Sequence, residues 1–387
     1  MQKNIWILGF VFLAVYLPAC RAAEEENSSG SEQISQVSGI ETPQALPTDF
    51  EPVRLAWFYK PPSNSNLDTL VDSYDFFILT RLDERERDEI LQSGNKADML
   101  QYLLFTEIMD PGSCTQQPWH NQVAEIIGDF CEIEANHSDW FLRGVTGGLL
   151  KNENNFVLMD PANQEWRDFW LERAKRSQEA NGWRGVFLDN VEASLRKRYL
   201  TGLIPASYPT DAAYQAAVED NLRYLYRSYF QPSGIPLYAN IISLTDPSVW
   251  YRYIQYLDGA MIENFAVGWS RGDGTLAEWE MQLNIAEGTQ AMGKDIILVS
   301  QGEPLDHERE TFALASYLLI NNGRAYFRYT HQSSYDLHWW YDNYEVDPGL
   351  PLKSRYKSGD EWIRDFTNGR VIVNPNTFQA TIEVGLP

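Results

Sequence analysis

The chain has 387 residues, 44% of them hydrophobic and 13% aromatic, enough for one large domain or two ordinary ones with a sizeable core. A formal net charge of −23 argues against nucleic acid and anionic membrane surfaces as partners, because both need basic patches. Acidity itself names no substrate. The 13 Trp and 21 Tyr either fill a core or stack on the apolar faces of sugar rings.

The first element is a targeting segment, residues 1–20. Lys3 supplies a positive charge, and the apolar run 5–19 is too short for a comfortable membrane span. It ends in Leu17-Pro18-Ala19-Cys20, which resembles a bacterial lipobox with Cys20 as the lipidated first residue. Cleavage after Ala22 or Ala23 is the alternative. Lipidation at Cys20 would leave Cys114 and Cys131 as a pair, and an oxidising compartment would bridge them. Two reduced thiols are the other reading. Residues 21–52 are rich in Glu, Ser, Gly, Gln and Pro, without periodicity, and read as a disordered tether. The chain is therefore expected to be exported and to touch a membrane only through an N-terminal lipid.

From residue 54 onward, strand-like and helix-like stretches alternate. Strands are predicted over 54–59, 75–80 and 101–106, with helices over 67–73 and 83–93 between them. A long excursion over 109–155 holds both late Cys, Trp119 and Trp140, and loops of that length in compact domains are usually functional. A helix over 163–180 opens at Asp160-Pro161-Ala162-Asn163. The apolar run Val186-Phe187-Leu188 follows and stops abruptly at Asp189-Asn190. Helices over 211–230, 247–257, 276–292 and 308–321 then alternate with strands over 235–242, 259–264, 295–300 and 323–328. Eight strands separated by helices predict an α/β protein, a (β/α)8 TIM barrel over 53–350. An open doubly wound sheet is the alternative, but Lys60-Pro61-Pro62-Ser63 after the first strand is no Gly-rich phosphate loop. Residues 351–387 read as short strands with a hairpin signal at Asn368-Gly369, a small C-terminal β appendage.

In such a barrel the strand carboxyl ends face one cleft. Those positions collect Tyr59, Lys60, Arg81, Asn190, Asn240, Asn264, Glu303 and Arg328, polar groups suited to gripping hydroxyls. Asp189 and Glu263 are the best carboxylate pair, because both end apolar strands and both are followed by Asn. Two carboxyl groups flanking a bond are what glycosidic cleavage needs. Asp189 could equally cap a following helix. Glu107 is a possible third carboxylate. Glu192 and Asp160 read as residues of first helical turns. Trp339 and Trp340, after the eighth strand, could form a sugar-stacking wall or pack against the appendage. The five His show no metal-ligand spacing, and no nucleophile elbow or Walker loop occurs, so neither metal nor cofactor is expected.

Gly185-Val186-Phe187-Leu188-Asp189-Asn190 and Asp258-Gly259-Ala260-Met261-Ile262-Glu263-Asn264-Phe265 together resemble hypothetical bacterial glycoside hydrolases with a barrel fold. Their wider relatives include the endo-α-1,4-polygalactosaminidase family. The Asp160 to Asn163 helix start and the Arg364 to Pro375 tail are similar to this group as well. The resemblance implies that Asp189 and Glu263 are the catalytic carboxylates. It leaves the sugar and the linkage open, because fold does not fix function. The expected function is cleavage of a polysaccharide by an exported glycoside hydrolase, and the alternative is a non-catalytic carbohydrate-binding lipoprotein on a degenerate barrel.

Overall fold

The computed structural model describes residues 50–268 and 274–385. The targeting segment with Cys20, and all but the last residues of the predicted tether, lie outside the described residues.

Eight parallel strands build one sheet: β1 (Ala56–Phe58), β2 (Phe76–Leu79), β3 (Asp98–Leu104), β6 (Val186–Glu192), β7 (Leu237–Ile242), β8 (Gly259–Ile262), β9 (Asp295–Gln301) and β10 (Ala325–Thr330). They pair in that order, and a parallel bridge between Leu55 and Phe327 brings the last strand against the first. The result is a nearly closed (β/α)8 barrel. Helices α1 (Asp68–Val71), α2 (Glu84–Gln92), α4 (Gln164–Asn181), α6 (Asp211–Leu225), α8 (Pro247–Ile254), α9 (Leu276–Ala291) and α10 (His307–Ile320) cross between strands. Shorter helices are α3 (Asp129–Asn136), α5 (Arg196–Thr201) and α7 (Gln231–Ser233). The excursion adds a two-stranded antiparallel ribbon that sequence alone does not reveal, β4 (Glu107–Met109) with β5 (Phe156–Leu158). Cys114 and Cys131 are bridged, with Cα atoms 5.7 Å apart.

Strand alternation divides the core in two. Side chains such as Phe58, Phe76, Phe187, Tyr238, Val299 and Tyr326 point inward and fill the barrel, while Trp57, Phe77, Leu103, Leu188 and Phe327 point outward under the helices. Tight steric fit explains Gly259. A Cβ there would lie 2.2 Å from the Tyr238 ring, which occupies the lower barrel with its hydroxyl donating to Asp295 at 2.6 Å. The seam between β1 and β10 carries few backbone bonds, and Arg328 substitutes for them. Its guanidinium donates to the Phe58 carbonyl and lies 4.0 Å over the Trp57 ring.

The appendage is a four-stranded antiparallel sheet of β11 (Tyr356–Ser358), β12 (Glu361–Phe366), β13 (Gly369–Asn374) and β14 (Gln379–Val384). It lies on α10, which is therefore buried nearly all round between barrel and sheet. Arg364 of β12 donates to the Leu318 and Asn321 carbonyls at 3.1 and 2.8 Å, satisfying carbonyls at the buried C-terminal end of α10.

That burial traps Glu310. Its side chain is inaccessible, its Oε2 accepts from Asn343 at 3.0 Å and its Oε1 has no partner. Burial pushes its pKa up from 4.5 to about 7, against the Asn343 and Thr311 hydrogen bonds. Between those values the folded state holds more protons than the unfolded one, so stability falls as pH rises through the window and is level above it. Glu310→Gln is expected to be more stable than wild type above pH 7, by on the order of 3 kcal/mol, with the gain vanishing toward pH 4.5. Urea denaturation across that range checks it, and a gain independent of pH would refute the assignment.

Candidate active site

β6 carries an irregularity next to the carboxylate pair. Its pairing with β7 shifts between Leu188 and Val191, so Asp189 and Asn190 together oppose Asn240. Asn190 adopts φ 60°, a left-handed conformation that Asn tolerates better than most residues. This is a β-bulge, a device that re-aims a side chain. Asp189, two residues after the inward-pointing Phe187, already faces the barrel mouth by strand alternation; the bulge takes up Asn190, so that Val191 packs on the outer side again and the strand runs on to Glu192. The helix-cap reading of Asp189 is thereby overturned, since α5 begins only at Arg196 and no side chain caps it. Glu192 is likewise a buried strand residue and not part of a first helical turn. Asp160 also precedes its helix, where Asn163 is the cap, accepting from the Trp166 amide at 3.0 Å.

Asn240 of β7 links the pair. Its Nδ2 donates to Asp189 Oδ1 at 3.0 Å and to Glu263 Oε2 at 2.8 Å. An amide NH2 directs its two N–H bonds about 120° apart, a geometry in which two acceptors on linear hydrogen bonds of these lengths stand about 5 Å from each other. The second oxygens are held by phenols. Tyr102 of β3 donates to Asp189 Oδ2, and Tyr335, after β10, donates to Glu263 Oε1 at 2.7 Å. Gln301 at the end of β9 donates to the Tyr335 hydroxyl at 2.7 Å, and Arg328 holds the Tyr335 carbonyl. Burial and the neighbouring carboxylates keep both phenols protonated, so they act as donors. Burial, then the Asp189 charge, raises the Glu263 pKa, against the hydrogen bonds from Tyr335 and Asn240.

Of the predicted residues, Asp189, Asn240 and Glu263 meet directly, and Tyr59 lies one ring away, 4.8 Å from Tyr102. Lys60 is exposed at the rim with its Nζ 5.4 Å from the Tyr59 ring. Asn190 faces a neighbouring network, accepting from Lys197 at 3.4 Å and donating to Glu107 at 3.5 Å. Glu107 itself is buried in an ion pair with Arg198. The other residues lie apart from the pair. Arg81 binds Glu125 and lines a cavity of about 440 Å³ beside Gln101 and Arg173 of α4. Asn264 is exposed and tied to Gln282 of α9. Arg328 serves the seam, and Glu303 is half-buried, its carbonyl accepting from Tyr329. Trp339 packs 6.0 Å from Tyr329, on the outer side of the sheet. Trp340 lines a cavity with Arg54, Asp75 and Lys96, which precede β1, β2 and β3, so it sits at the opposite end of the barrel. Tyr102 and Tyr335 escape a sequence reading. Tyr335 is in a loop without pattern, and Tyr102 reads as one more apolar strand residue. Among the described residues no group of three or more His, Cys, Asp or Glu side chains could hold a metal ion.

No curated protein sequence matches this chain. Among solved structures, the glycoside hydrolase domain of PelA from Pseudomonas aeruginosa is 17% identical, with 73% of this chain and 96% of that chain covered and a TM-score of 0.48. The maltogenic α-amylase AmyB from Thermotoga neapolitana is 11% identical, covering 84% and 86%, with a TM-score of 0.46. Ega3 from Aspergillus fumigatus, in complex with galactosamine, is 8% identical, covering 74% and 92%, with a TM-score of 0.43. The family model that matches spans residues 100–370, most of the chain and both carboxylates of the pair. The chain belongs to hypothetical glycosyl hydrolase family 15.

Proposed function

We propose that the barrel hydrolyses glycosidic bonds of a polysaccharide with retention of configuration, using Asp189 as nucleophile and Glu263 as acid and base. The carrying observation is the Asn240 amide shared by both carboxylates. A separation of about 5 Å suits direct attack on the sugar carbon, whereas inverting pairs stand about 6.5–9.5 Å apart to admit a water. Glu263 gives its proton to the leaving oxygen as the glycosidic C–O bond breaks, and Asp189 bonds to the anomeric carbon. Glu263, now a carboxylate, takes a proton from water, whose oxygen displaces Asp189 from the sugar. Two carboxyls with unlike surroundings, one pushed toward its protonated form by burial and its neighbour's charge, fit this division of labour.

The experiment is hydrolysis of a polysaccharide panel, including aminosugar polymers, with the Asp189→Asn variant as control. Hydrolysis by wild type that the variant retains would sink the assignment. The acid must be protonated, so kcat/KM is expected to fall on the alkaline side at a pH above the ordinary Glu value of 4.5. Removing the Asp189 charge should lower the Glu263 pKa, and an NMR titration of the Glu263 carboxyl in Asp189→Asn reads the shift. An unchanged or raised value would contradict the coupling.

Export is part of the proposal. It is supported by the Lys3 to Cys20 segment and by the Cys114–Cys131 bridge, which persists in oxidising compartments. Attachment through Cys20 would place the enzyme at a membrane surface. Metabolic labelling with a fatty acid, lost in Cys20→Ser, tests it.

A further inference from the structure

We propose that Trp119 and Tyr59 form a carbohydrate-stacking wall beside Asp189, with Trp119 determining specificity. The proposal rests on the reading of Asp189 and Glu263 as a hydrolytic pair and adds the surface that holds the sugar against it. Among the described residues, the hydrophobic side chains that pack on the barrel interior yet keep exposed surface are Tyr59, Trp119, Phe156 and Tyr335. All four are aromatic. Tyr335 holds Glu263 and Tyr102 holds Asp189, which fixes the end of the barrel they close.

These rings make a continuous arc from one carboxylate to the other. Tyr335 lies 5.2 Å from Phe58, Phe58 lies 5.6 Å from Tyr59, Tyr59 lies 4.8 Å from Tyr102, and Tyr102 lies 6.2 Å from Trp119. A pyranose offers an apolar C–H face and an equatorial rim of hydroxyls. Partly exposed rings one contact from the nucleophile match the face, and the carboxylates and Asn240 match the rim. Core filling alone would leave Trp119 buried, as Trp57 and Trp170 are.

Trp119 belongs to the excursion and not to the barrel, yet its backbone is pinned to the mouth. Gln122 donates to the Trp119 carbonyl at 2.9 Å and accepts from the Met109 amide at 2.6 Å. The neighbouring Asn121 carbonyl accepts from the Leu104 amide at 2.9 Å, and its side chain donates to the Tyr59 hydroxyl at 3.3 Å. The Cys114–Cys131 bridge closes the loop around this segment. A wall held this way is preorganised, so stacking costs little ordering.

Binding is measured calorimetrically on the full chain carrying Asp189→Asn, against neutral and aminosugar hexasaccharides. Trp119→Ala and Trp119→Leu are expected to weaken binding about tenfold or more, because neither offers a flat face. Trp119→Phe should recover most of the affinity, Tyr59→Phe all of it, and Tyr59→Ala little. With Asp189 intact, Trp119→Leu should raise KM and leave kcat nearly unchanged on any substrate hydrolysed. Leu preserves apolar bulk, so an unchanged melting temperature separates lost stacking from a collapsed loop. Parental affinity in folded Trp119→Leu overturns the wall, as does a panel in which no hexasaccharide binds. Binding that depends on Trp119 without any hydrolysis by the wild-type chain upholds the wall and sinks the hydrolytic reading.

Discussion

Asp189→Asn is expected to reduce turnover by about 10⁴-fold or more, and Glu263→Gln by about 10²–10⁴-fold, with the fold intact in both. The inequality follows from the proposed roles. Without a nucleophile the glycosyl–enzyme intermediate cannot form, whereas without an acid the first step still proceeds when the leaving group needs no proton. An aryl glycoside with an acidic phenol should therefore restore much of the first step in Glu263→Gln and little in Asp189→Asn. Azide discriminates further. Added to Glu263→Ala it should yield a glycosyl azide of retained configuration, because it intercepts the intermediate from the open face. Added to Asp189→Ala it should attack the substrate directly and invert. Retained azide product from both variants would reverse or dissolve the assignment. The isosteric variants keep the Asn240 contact possible at one oxygen each, so loss of folding is not expected to confuse the comparison.

Much of this site is legible in the sequence because of where apolar runs stop. Val186-Phe187-Leu188 and Ala260-Met261-Ile262 are too apolar for anything but buried strands, and an acidic residue directly after each must leave the core at the same end of a parallel barrel. The alternation of strands with helices gives the barrel itself, and Asn368-Gly369 gives the β12–β13 turn of the appendage. Loop trajectories are not legible in the same way. Arg81 follows β2, as a mouth residue should, yet Glu125 of the excursion draws it to the outer side. Trp340 follows β10 but descends past the barrel wall to the far end. Tyr335, only five residues earlier, turns inward to Glu263. These outcomes depend on contacts between segments remote in sequence, to which local periodicity is blind. The bulge at Asn190 is a related case. A left-handed Asn leaves no hydropathy signature, but it carries β6 past Asp189 to Glu192 and decides against a helix cap.

That extension of β6 creates the strongest structural dependence in the site's surroundings. Arg198 donates to Glu107 at 2.7 Å and to Glu192 at 2.9 Å, and all three side chains are almost wholly buried. Burial raises the Glu192 pKa and the Arg198 charge lowers it, so the guanidinium is what makes a buried carboxylate tolerable. Arg198→Met is expected to destabilise the protein by about 3–5 kcal/mol at neutral pH, because it strands two buried carboxylates without their ion-pair partner and leaves Lys197 as the remaining nearby positive charge on Glu192. Lowering the pH should return part of that loss, since burial favours protonation of Glu192, which removes one of the two uncompensated charges. Adding Glu107→Gln and Glu192→Met to Arg198→Met should restore most of the stability, because the whole charged set has then been removed from the interior. Chemical denaturation of the single and triple variants measures both. A triple variant no more stable than Arg198→Met would mean that the hydrogen-bond geometry matters more than charge balance. The triple variant also tests a functional link. Glu107 accepts from Asn190, the bulge residue beside Asp189, and keeping an amide at position 107 leaves that side chain an acceptor. Restored stability with restored hydrolysis would make the triad a support for the fold alone. Restored stability with hydrolysis still depressed would mean that the buried charges hold Asn190, the bulge residue beside Asp189, in the arrangement that hydrolysis needs.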